Sequence, residues 1–476
     1  MVTTYYPPYH FGGDATYARS LARALVRRGH EVEVIHCVDA YALKVGYRDT
    51  KATVPVAQVP EDNKIVVHRL ASKAGLLSPL VTQQTGHPGL KYPQLQALLK
   101  RDFDVIHFHN ISLIGGPAVL RMGQAPVKLY TLHEYWLLCA THVFWKNNRR
   151  PCDSRDCIRC SIKSGIPPQW WRYTNLRHEC TKHVDALLAP SEYAANRHRM
   201  AGFTAPIRVL PLFSTLHPGP PTRKTAISNS LAANAQTVDS QTAKSQTAKS
   251  QTAKSKGRAH FLFAGRVTAA KGIESLLSTF AKLPQYDLDV AGDGALLPEL
   301  SAAYADCPNI RFLGNIPQPQ LVPLYQNTAA LIFPSLMMET FGLTTVEAFA
   351  CGTPVIARDA GGNRELIEKT QAGLIYQSET ELRQALQLVA NNPHRRRRLG
   401  ELAYKGYRTH YTEAVHLNRY LEQIHDIWNA KRVESSYRRS TSSGRMKERV
   451  GTAARSKNRP KIPAARIERN PAAPYP

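Results

Sequence analysis

The sequence predicts an α/β protein with two doubly wound, Rossmann-like domains that face each other across a cleft. In residues 1–213 and again in residues 259–394, short apolar runs alternate with helix-length segments, a rhythm typical of parallel sheets covered by helices. The 476 residues suffice for two or three domains, and a hydrophobic content of 43% is ordinary for chains that bury a core. Because such folds bind ligands at the carboxyl ends of their strands, we expect the site in the cleft.

The first block opens with a short strand and a helix. Residues 1–4 are the predicted first and central strand, although they fall below the mean strand length of about 5–6 residues. Apolar residues recur at helical spacing through residues 16–28, and Gly29 ends that helix. Further strands are predicted at residues 32–37, 105–109, 128–132 and 186–189, and in the second block at 261–264, 287–291, 310–313, 329–333 and 354–357.

Three other segments complete the predicted organisation. Residues 214–258 form a predicted linker, because residues 241–255 are three copies of Gln-Thr-Ala-Lys-Ser, which cannot bury enough surface to offset its ordering entropy. Residues 395–430 are predicted helices that return to the first domain and end near Trp428. Residues 431–476 lack periodic apolar side chains and are predicted to be a basic, disordered tail.

Positive charge is distributed unevenly along the chain. The net charge is +26, but residues 259–430 carry 15 basic and 17 acidic side chains, whereas residues 1–213 carry 27 and 15, and residues 431–476 carry 13 and 3. This pattern favours an anionic membrane surface or acceptor beside the first domain, with nucleic acid as the less favoured partner. Solubility alone is the alternative explanation for the basic tail.

The sequence excludes several classes of protein. Its composition excludes collagen-like, fully disordered and disulfide-dense classes. No run approaches the about 18–20 uncharged apolar residues that cross a bilayer, and the first residues lack a secretory pattern. We therefore expect a cytoplasmic protein that can associate peripherally with the inner face of the membrane.

The most informative stretch runs from Glu339 to Glu347. It follows a predicted strand, and a Phe341-Gly342 turn separates the first carboxylate from a helix predicted at residues 346–350. Leu343 and Thr344 would lie at the N-terminus of that helix, where free N–H groups and the helix dipole bind phosphate. A carboxylate one turn further can hold a ribose diol. The alternative is a helix cap and a surface charge.

Two cations follow the first strand of the second block. Arg266 comes after a glycine and Lys271 precedes Gly272, so both could neutralise a diphosphate that develops charge as a nucleotide leaves. Arginine and lysine in surface loops are often merely solvated. Glycine-rich turns recur after two further strands, at residues 292–294 and 361–362, which strengthens the prediction of a ligand site at this edge.

These motifs resemble those of the retaining glycosyltransferase family 4, with the GT-B fold (glycosyl transferases group 1). The resemblance covers residues 5–376 in the family's order. In the first block, the matching motifs are Tyr-Pro-Pro with Gly12-Gly13, Arg-Gly-His-Glu-Val at 28–32, Asp-Val-Ile-His-Phe-His at 104–109, Thr-Leu-His-Glu at 131–134 and Ala-Pro-Ser-Glu at 189–192. In the second block, they are the cation and glycine turns described above, Glu339 to Glu347, and Gly361-Gly362 with Glu365. Residues 210–213 depart from the Asn-containing turn with which the family usually ends its first domain.

The resemblance implies a glycosyltransferase that uses a nucleotide diphosphate sugar and a saccharide or lipid-linked acceptor. It implies retention of anomeric configuration and no metal or other cofactor for catalysis. It assigns catalytic roles to His133, which would face the transferred sugar, and to Glu339. The implied donor-binding residues are Gly13, Arg266, Lys271, Phe341, Gly342, Leu343, Thr344 and Glu347.

Two other interpretations stay open from the sequence. One is an epimerase or phosphorylase-type enzyme that shares the cleft. The other is a membrane- or nucleic-acid-binding protein with an inactive cleft. Intact cations and carboxylates at the motif positions favour the transferase.

A cysteine-rich insertion, residues 139–180, follows His133. Four of its five cysteines fit a structural zinc site held by thiolates, although two of the spacings are loose. Four reduced thiols are the alternative. The four residues are Cys139, Cys152, Cys157 and Cys160. Trp170 and Trp171 later in the insertion would either enter a membrane interface or be buried aromatics.

Overall fold

The computed structural model describes residues 1–45, 59–216, 218–220 and 258–448. The predicted α/β class with two Rossmann-like domains is confirmed, because each domain is a parallel sheet covered by helices. The elements of the first domain are α1 (Gly13–Arg27), β1 (Val32–Cys37), α2 (Val38–Val45), β2 (Ile65–Leu70), α3 (Leu77–Thr85), α4 (Tyr92–Leu99), β3 (Val105–Phe108), β4 (Val127–Thr131), β5 (Trp145–Lys146), β6 (Arg150–Pro151), α5 (Cys157–Lys163), α6 (Leu176–Thr181), β7 (Ala186–Ala189), α7 (Glu192–Met200) and β8 (Ile207–Val209).

The first residues lie at the centre of the first sheet. Val2 forms parallel bridges to Ile35 of β1 and Phe108 of β3, and so joins the β1–β2 pair to the β3-β4-β7-β8 group. The predicted central position is therefore correct. The segment forms isolated bridges rather than a full strand.

The second sheet has six parallel strands in the order β11-β10-β9-β12-β13-β14. The strand order reverses between β9 and β12, so their carboxyl ends flank the crevice in which doubly wound sheets bind ligands. The elements are β9 (Ala259–Ala264), α8 (Ile273–Ala281), β10 (Tyr286–Ala291), α9 (Leu297–Ala303), β11 (Ile310–Gly314), α10 (Gln318–Gln326), β12 (Ala330–Phe333), α11 (Leu343–Ala350), β13 (Val355–Arg358), α12 (Asn363–Thr370) and β14 (Gly373–Tyr376).

Three helices end the described chain: α13 (Glu379–Asn391), α14 (Pro393–His410) and α15 (Glu413–Glu448). The last crosses to the first domain, where Tyr420 contacts His107 and Lys431 forms an ion pair with Asp185. Disorder from residue 431 is a wrong prediction for residues 431–448, which continue α15. Good helix formers, arginine, lysine and glutamate, extend a helix already anchored by its packed part.

Some predictions lie outside the described residues. These are the repeat at residues 241–255, with most of the linker, and residues 449–476 of the tail. Among the helices that are described, none combines the length and the apolar character needed to cross a bilayer.

The cysteine-rich insertion is a small unit on the first domain. It contains the antiparallel pair β5–β6, helix α5 and a 3-10 turn at Trp170–Tyr173. The two tryptophans differ: Trp171 is buried and donates from Nε1 to the carbonyl of Gln83 at 2.9 Å, whereas Trp170 is 60% exposed. Burial is therefore confirmed for Trp171, and entry into a membrane interface stays a prediction for Trp170.

Helices α14 and α15 pack into both domains. One hydrophobic core joins Leu21 of α1, Val346 of α11, Tyr411 between α14 and α15, and Tyr420 of α15. The two sheets are therefore connected by buried apolar contact as well as by the chain, which fixes the cleft between them.

Candidate active site in the interdomain cleft

The ends of β9 and β12 bring an ion pair to the cleft. Lys271 lies in the 3-10 turn after β9, and Glu339 lies in the loop after β12, so the adjacency of the two strands places them side by side. Lys271 Nζ donates to Glu339 Oε1 at 2.6 Å, and the hydroxyl of Ser335 donates to the same oxygen at 2.7 Å. The pair fixes a cation and a carboxylate at the switch point of the sheet.

Two helix N-termini meet across the cleft. Gly13 begins α1 and Leu343 begins α11, three residues earlier than predicted from the sequence. A Cβ built on Gly13 would lie 3.3 Å from Leu343 Cδ1, so the small residue permits the close approach. Since the first turn of each helix offers free N–H groups, the two ends create a positive region. Arg266 is exposed on the loop after β9.

Gly342 makes the turn into α11 possible. Its φ of +155° lies in the region that favours glycine, and an added Cβ would lie 2.4 Å from Asn363 Oδ1. Phe341, just before it, is 3% exposed and packs edge-on to Tyr411, with ring centroids 6.1 Å apart. The side chain of Phe341 therefore belongs to the core, and only its backbone is available to a ligand.

Glu347 lies one turn into α11 and is held by its neighbours. Gln318 Nε2 donates to Oε1 at 2.6 Å, and the hydroxyl of Tyr325 donates to Oε2 at 2.9 Å. Burial raises the pKa of the Glu347 carboxyl, and the two hydrogen bonds oppose that rise. The carboxylate is thus oriented before any ligand binds.

His133 follows β4 on the opposite side of the cleft. Its Nε2 lies 3.0 Å from Nδ1 of His109, and its carbonyl accepts a hydrogen bond of 2.8 Å from the hydroxyl of Thr340 in the second domain. Burial lowers the pKa of His133 to about 4, so the ring is neutral at physiological pH. The neutral ring can donate or accept a hydrogen bond without adding charge.

Further contacts between the domains surround this hydrogen bond. The hydroxyl of Ser191 donates to the carbonyl of Thr340 at 2.7 Å, and that of Tyr135 donates to the carbonyl of Glu339 at 3.4 Å. The carboxylate of Glu365 accepts from the backbone N–H groups of Glu192, at 2.9 Å, and Tyr193. The loop that carries Glu339 is therefore held by the domain that carries His133.

Polar side chains of the first domain line its side of the cleft. The amide of Asn110 donates to Asp14 at 3.0 Å and to Glu134 at 3.1 Å, and Glu134 also lies 2.7 Å from Nδ1 of His142. This group follows the ends of β3 and β4 and the start of α1. Such alternating acceptors and donors suit hydroxyl groups of a saccharide.

The structure brings most of the predicted site residues to one cleft. The Lys271–Glu339 ion pair lies at the start of the segment 339–343, and the contact of Gly13 with Leu343 lies at its end. The sequence interpretation missed other residues of the cleft, namely Asp14, Asn110, Gln318, Tyr325 and Thr340. His109 and Asn110 directly follow β3, so the rule that ligands bind at strand ends could have identified them.

The four predicted zinc ligands do not form a metal site as they are placed. Among the residues that the structure describes, no three His, Cys, Asp or Glu side chains are arranged to hold a metal ion. The thiols have separate partners instead: Cys139 contacts the hydroxyl of Thr141 at 3.1 Å, and Cys160 accepts from the backbone N–H of Asn147 at 3.2 Å. All four are free cysteines, and zinc stays a prediction.

The chain matches two family models. Residues 11–213 match the model of Glycosyltransferase Family 4, and residues 244–406 match that of Glycosyl transferases group 1. An uncharacterized glycosyltransferase of Methanocaldococcus jannaschii is 24% identical over 381 residues, which are 79% of this chain and 83% of that relative.

Solved structures share the fold. Sucrose-phosphate synthase from Thermosynechococcus elongatus superposes with a TM-score of 0.62 at 19% identity, over 90% of this chain and 98% of that one. HepE from Anabaena, solved with UDP and glucose, superposes with a TM-score of 0.57 at 16% identity, over 89% and 98%.

Fold and cleft thus define a two-domain α/β enzyme of the GT-B class. The family models cover both domains in order. The chain belongs to the group 1 and family 4 glycosyltransferases, and it is an enzyme that transfers sugars in the biosynthesis of glycoconjugates.

Buried histidines make the stability of this fold depend on pH. Burial lowers the pKa of His107 and His109 well below the ordinary value and that of His133 and His416 to about 4. Below about pH 6.5 the unfolded chain binds more protons than the folded chain, so the free energy of unfolding falls by up to about 1.4 kcal/mol per pH unit for each of these histidines. We expect this stability to be complete above pH 6.5 and to be lost as the pH falls towards 4.

Thermal unfolding at pH 7.5, 6.5, 5.5 and 5.0 measures this dependence. His416→Gln removes one of these groups and should flatten the dependence of the midpoint on pH. The exposed His425→Gln is the control and should not. Equal slopes in wild type and His416→Gln would contradict the assignment.

Proposed function

We propose that the protein transfers a glycosyl group from a nucleotide diphosphate sugar to a saccharide or lipid-linked acceptor, with retention of anomeric configuration. The observation that carries the proposal is the segment 339–343, which has the Lys271–Glu339 ion pair at its start and the meeting of the N-termini of α1 and α11 at its end. This arrangement supplies concentrated positive charge beside an oriented carboxylate.

The positive charge suits the diphosphate. As the sugar–phosphate bond breaks, negative charge grows on the leaving phosphate, and donors already fixed in place stabilise it without reorganising. Lys271, the exposed Arg266 and the N–H groups that begin α1 and α11 would bind the phosphates. Because these groups supply the charge that a cation otherwise would, we propose that catalysis needs no metal or other cofactor.

The carboxylates of Glu347 and Glu339 suit the ribose and the sugar of the donor, respectively. Glu347, oriented by Gln318 and Tyr325, would accept hydrogen bonds from the ribose hydroxyls. Glu339, with the backbone of Phe341, Gly342 and Thr344, would bind the transferred sugar. HepE, which shares the fold, was solved in complex with UDP, so UDP-sugars are the first donors to examine.

The nearby carboxylates already have other partners, which argues against a covalent glycosyl-enzyme intermediate. A covalent intermediate needs a free carboxylate nucleophile against the sugar. Glu339 is paired with Lys271, and Asp14 and Glu134 share the amide of Asn110. We propose instead that acceptor and leaving phosphate share one face of the sugar, with the phosphate taking the acceptor's proton, and that His133 contacts the sugar there.

Donor binding tests the proposal. We expect one class of nucleotide sugar to raise the unfolding midpoint and to be hydrolysed slowly in the absence of acceptor. Lys271→Met should weaken binding by at least about tenfold, which corresponds to about 1.4 kcal/mol, because it removes a charged contact to the diphosphate. Lys282→Met, on the exposed end of α8, is the matched control.

Unchanged donor binding in Lys271→Met, or no response to any nucleotide sugar, would contradict the proposed function. Proton NMR of the product separates retention from inversion. A product of inverted anomeric configuration would contradict the proposed mechanism alone.

We further propose that the cysteine-rich insertion docks on an anionic membrane. Trp170, Tyr173 and Ile162 are 60–62% exposed, and Arg155 and Arg159 are exposed on the same unit. An aromatic and aliphatic surface with adjacent arginines suits the headgroup region of an anionic bilayer.

Vesicle sedimentation tests the membrane proposal. Ile162→Ser with Trp170→Ser should lower binding to phosphatidylglycerol vesicles several-fold, because less apolar surface enters the interface. Met200→Ser with Val433→Ser removes exposed apolar side chains elsewhere and is the control. A chain ending at Glu448 measures the share of the basic tail, and loss of binding only in that variant would contradict docking by the insertion.

A structural zinc ion in the insertion is the last part of the proposal. Arg172 is buried between Trp136 and Trp171, and its Nη1 and Nη2 have no hydrogen-bond partner. The thiols of Cys139 and Cys157 lie near enough to this guanidinium to act to raise its pKa. Four thiolates around Zn²⁺ would carry a net negative charge that compensates this guanidinium.

Metal analysis of the purified protein should find one zinc per chain. Cys157→Ser should lower the metal content and the unfolding midpoint, whereas Cys307→Ser, in the second domain, should leave the metal unchanged. A zinc-free protein whose unfolding is unaffected by a chelator would refute the site.

A further inference from the structure

Two histidines at neighbouring strand ends form one hydrogen-bonded unit. His109 follows β3 and His133 follows β4, and the parallel pairing of these strands brings both residues to the same edge of the sheet. Nδ1 of His109 lies 3.0 Å from Nε2 of His133, and the rings are nearly parallel, at an angle of 21°. Nothing in the proposed donor contacts uses His109.

The backbone on both sides of this hydrogen bond is fixed. The N–H of His109 donates to the carbonyl of Val2 at 2.9 Å, and the carbonyl of His133 accepts from Thr340. The remaining freedom of His133 is the rotation of its ring, and the bond to His109 is what restrains that rotation.

The ring of His109 is itself held from two sides. The ring of His107 lies against it, with centroids 4.1 Å apart and the ring planes tilted by 38°. His107 is in turn hydrogen-bonded to the hydroxyls of Tyr420, at 3.0 Å, and Thr131, at 2.7 Å. Tyr17 lies against both His109 and His133, and its hydroxyl lies 2.8 Å from Nε2 of His416. Helix α15 thus supports the pair through His416 and Tyr420.

The hydrogen bond leaves two arrangements of protons. Both rings are neutral, so the two facing nitrogens share one proton, and Nε2 of His109 is buried without a partner. If His133 were the donor, the neutral ring of His109 would carry its proton on that orphaned Nε2. By analogy with the backbone, where an unpaired buried N–H is rarer than an unpaired acceptor, the proton is on Nδ1 of His109.

We propose that His109 is a positioning residue that donates from Nδ1 to Nε2 of His133 and so holds His133 with its proton on Nδ1, as a hydrogen-bond donor to the transferred sugar. The role of the sugar rests on the proposed function. The arrangement of protons does not, because it belongs to the protein without ligand.

Substitutions of equal size test the hydrogen bond. The amide of His109→Asn can replace Nδ1–H, whereas His109→Leu has the same shape and no donor. We expect His109→Leu to lower kcat for donor hydrolysis about 10–100-fold, with the KM for the donor changed less than threefold, because a misplaced catalytic group costs rate more than binding. His109→Asn should stay within about threefold of wild type.

A merely structural role would affect both variants alike. Equal losses in the two variants, or full activity in His109→Leu, would overturn the proposal. If His109→Leu fails to fold, His109→Gln replaces it, since its amide reaches the position of Nε2 and cannot donate to His133. Activity in His109→Gln but not in His109→Asn would also overturn it.

The tautomer can be read without substrate. In ¹⁵N-histidine-labelled protein, long-range ¹H–¹⁵N spectra should show His133 protonated on Nδ1, with its signals assigned by their loss in His133→Gln. Protonation on Nε2 would overturn the proposal. Because this measurement needs no donor, failure of the proposed function and failure of the positioning role are distinguishable.

Discussion

The site depends on the loop after β12 being held by both domains at once. Lys271 and Ser335 fix the carboxylate of Glu339 from within the second domain, while Tyr135, Ser191 and the backbone of His133 hold Glu339 and Thr340 from the first. The cleft therefore has a defined width. These contacts hold the segment that leads from Glu339 to Leu343, where α11 meets Gly13 of α1.

Much of this arrangement could be predicted from the sequence, because it depends on local rules. Alternating strands and helices predict parallel sheets, the carboxyl ends of strands predict where ligands bind, and Gly342 predicts a turn before a helix. Lys271 and Glu339 lie side by side for this reason. The cysteine-rich insertion shows the limit of such rules, since the spacing of Cys139 to Cys160 constrains the chain but does not determine where four thiols point.

The rest could not be predicted, because it depends on contacts between residues far apart in the chain. The pairing of His109 with His133 requires β3 to lie beside β4, and the partners of Glu347 come from α10. The helical state of residues 431–448 was missed because it depends on anchoring, with Lys431 bound to Asp185, rather than on apolar periodicity. Sequence patterns describe elements better than they describe what packs against them.

The carboxylate of Glu365 has a consequence for the dynamics of the enzyme. It binds the first N–H groups of α7, so a helix of one domain is capped by a side chain of the other, next to its own cap at Ser191. Separation of the domains would expose those amides to water and loosen the first turn. The free energy needed to open the cleft therefore includes the free energy of removing a helix cap. The state of the backbone amides of Glu192 and Tyr193 reports whether the cleft is open or closed.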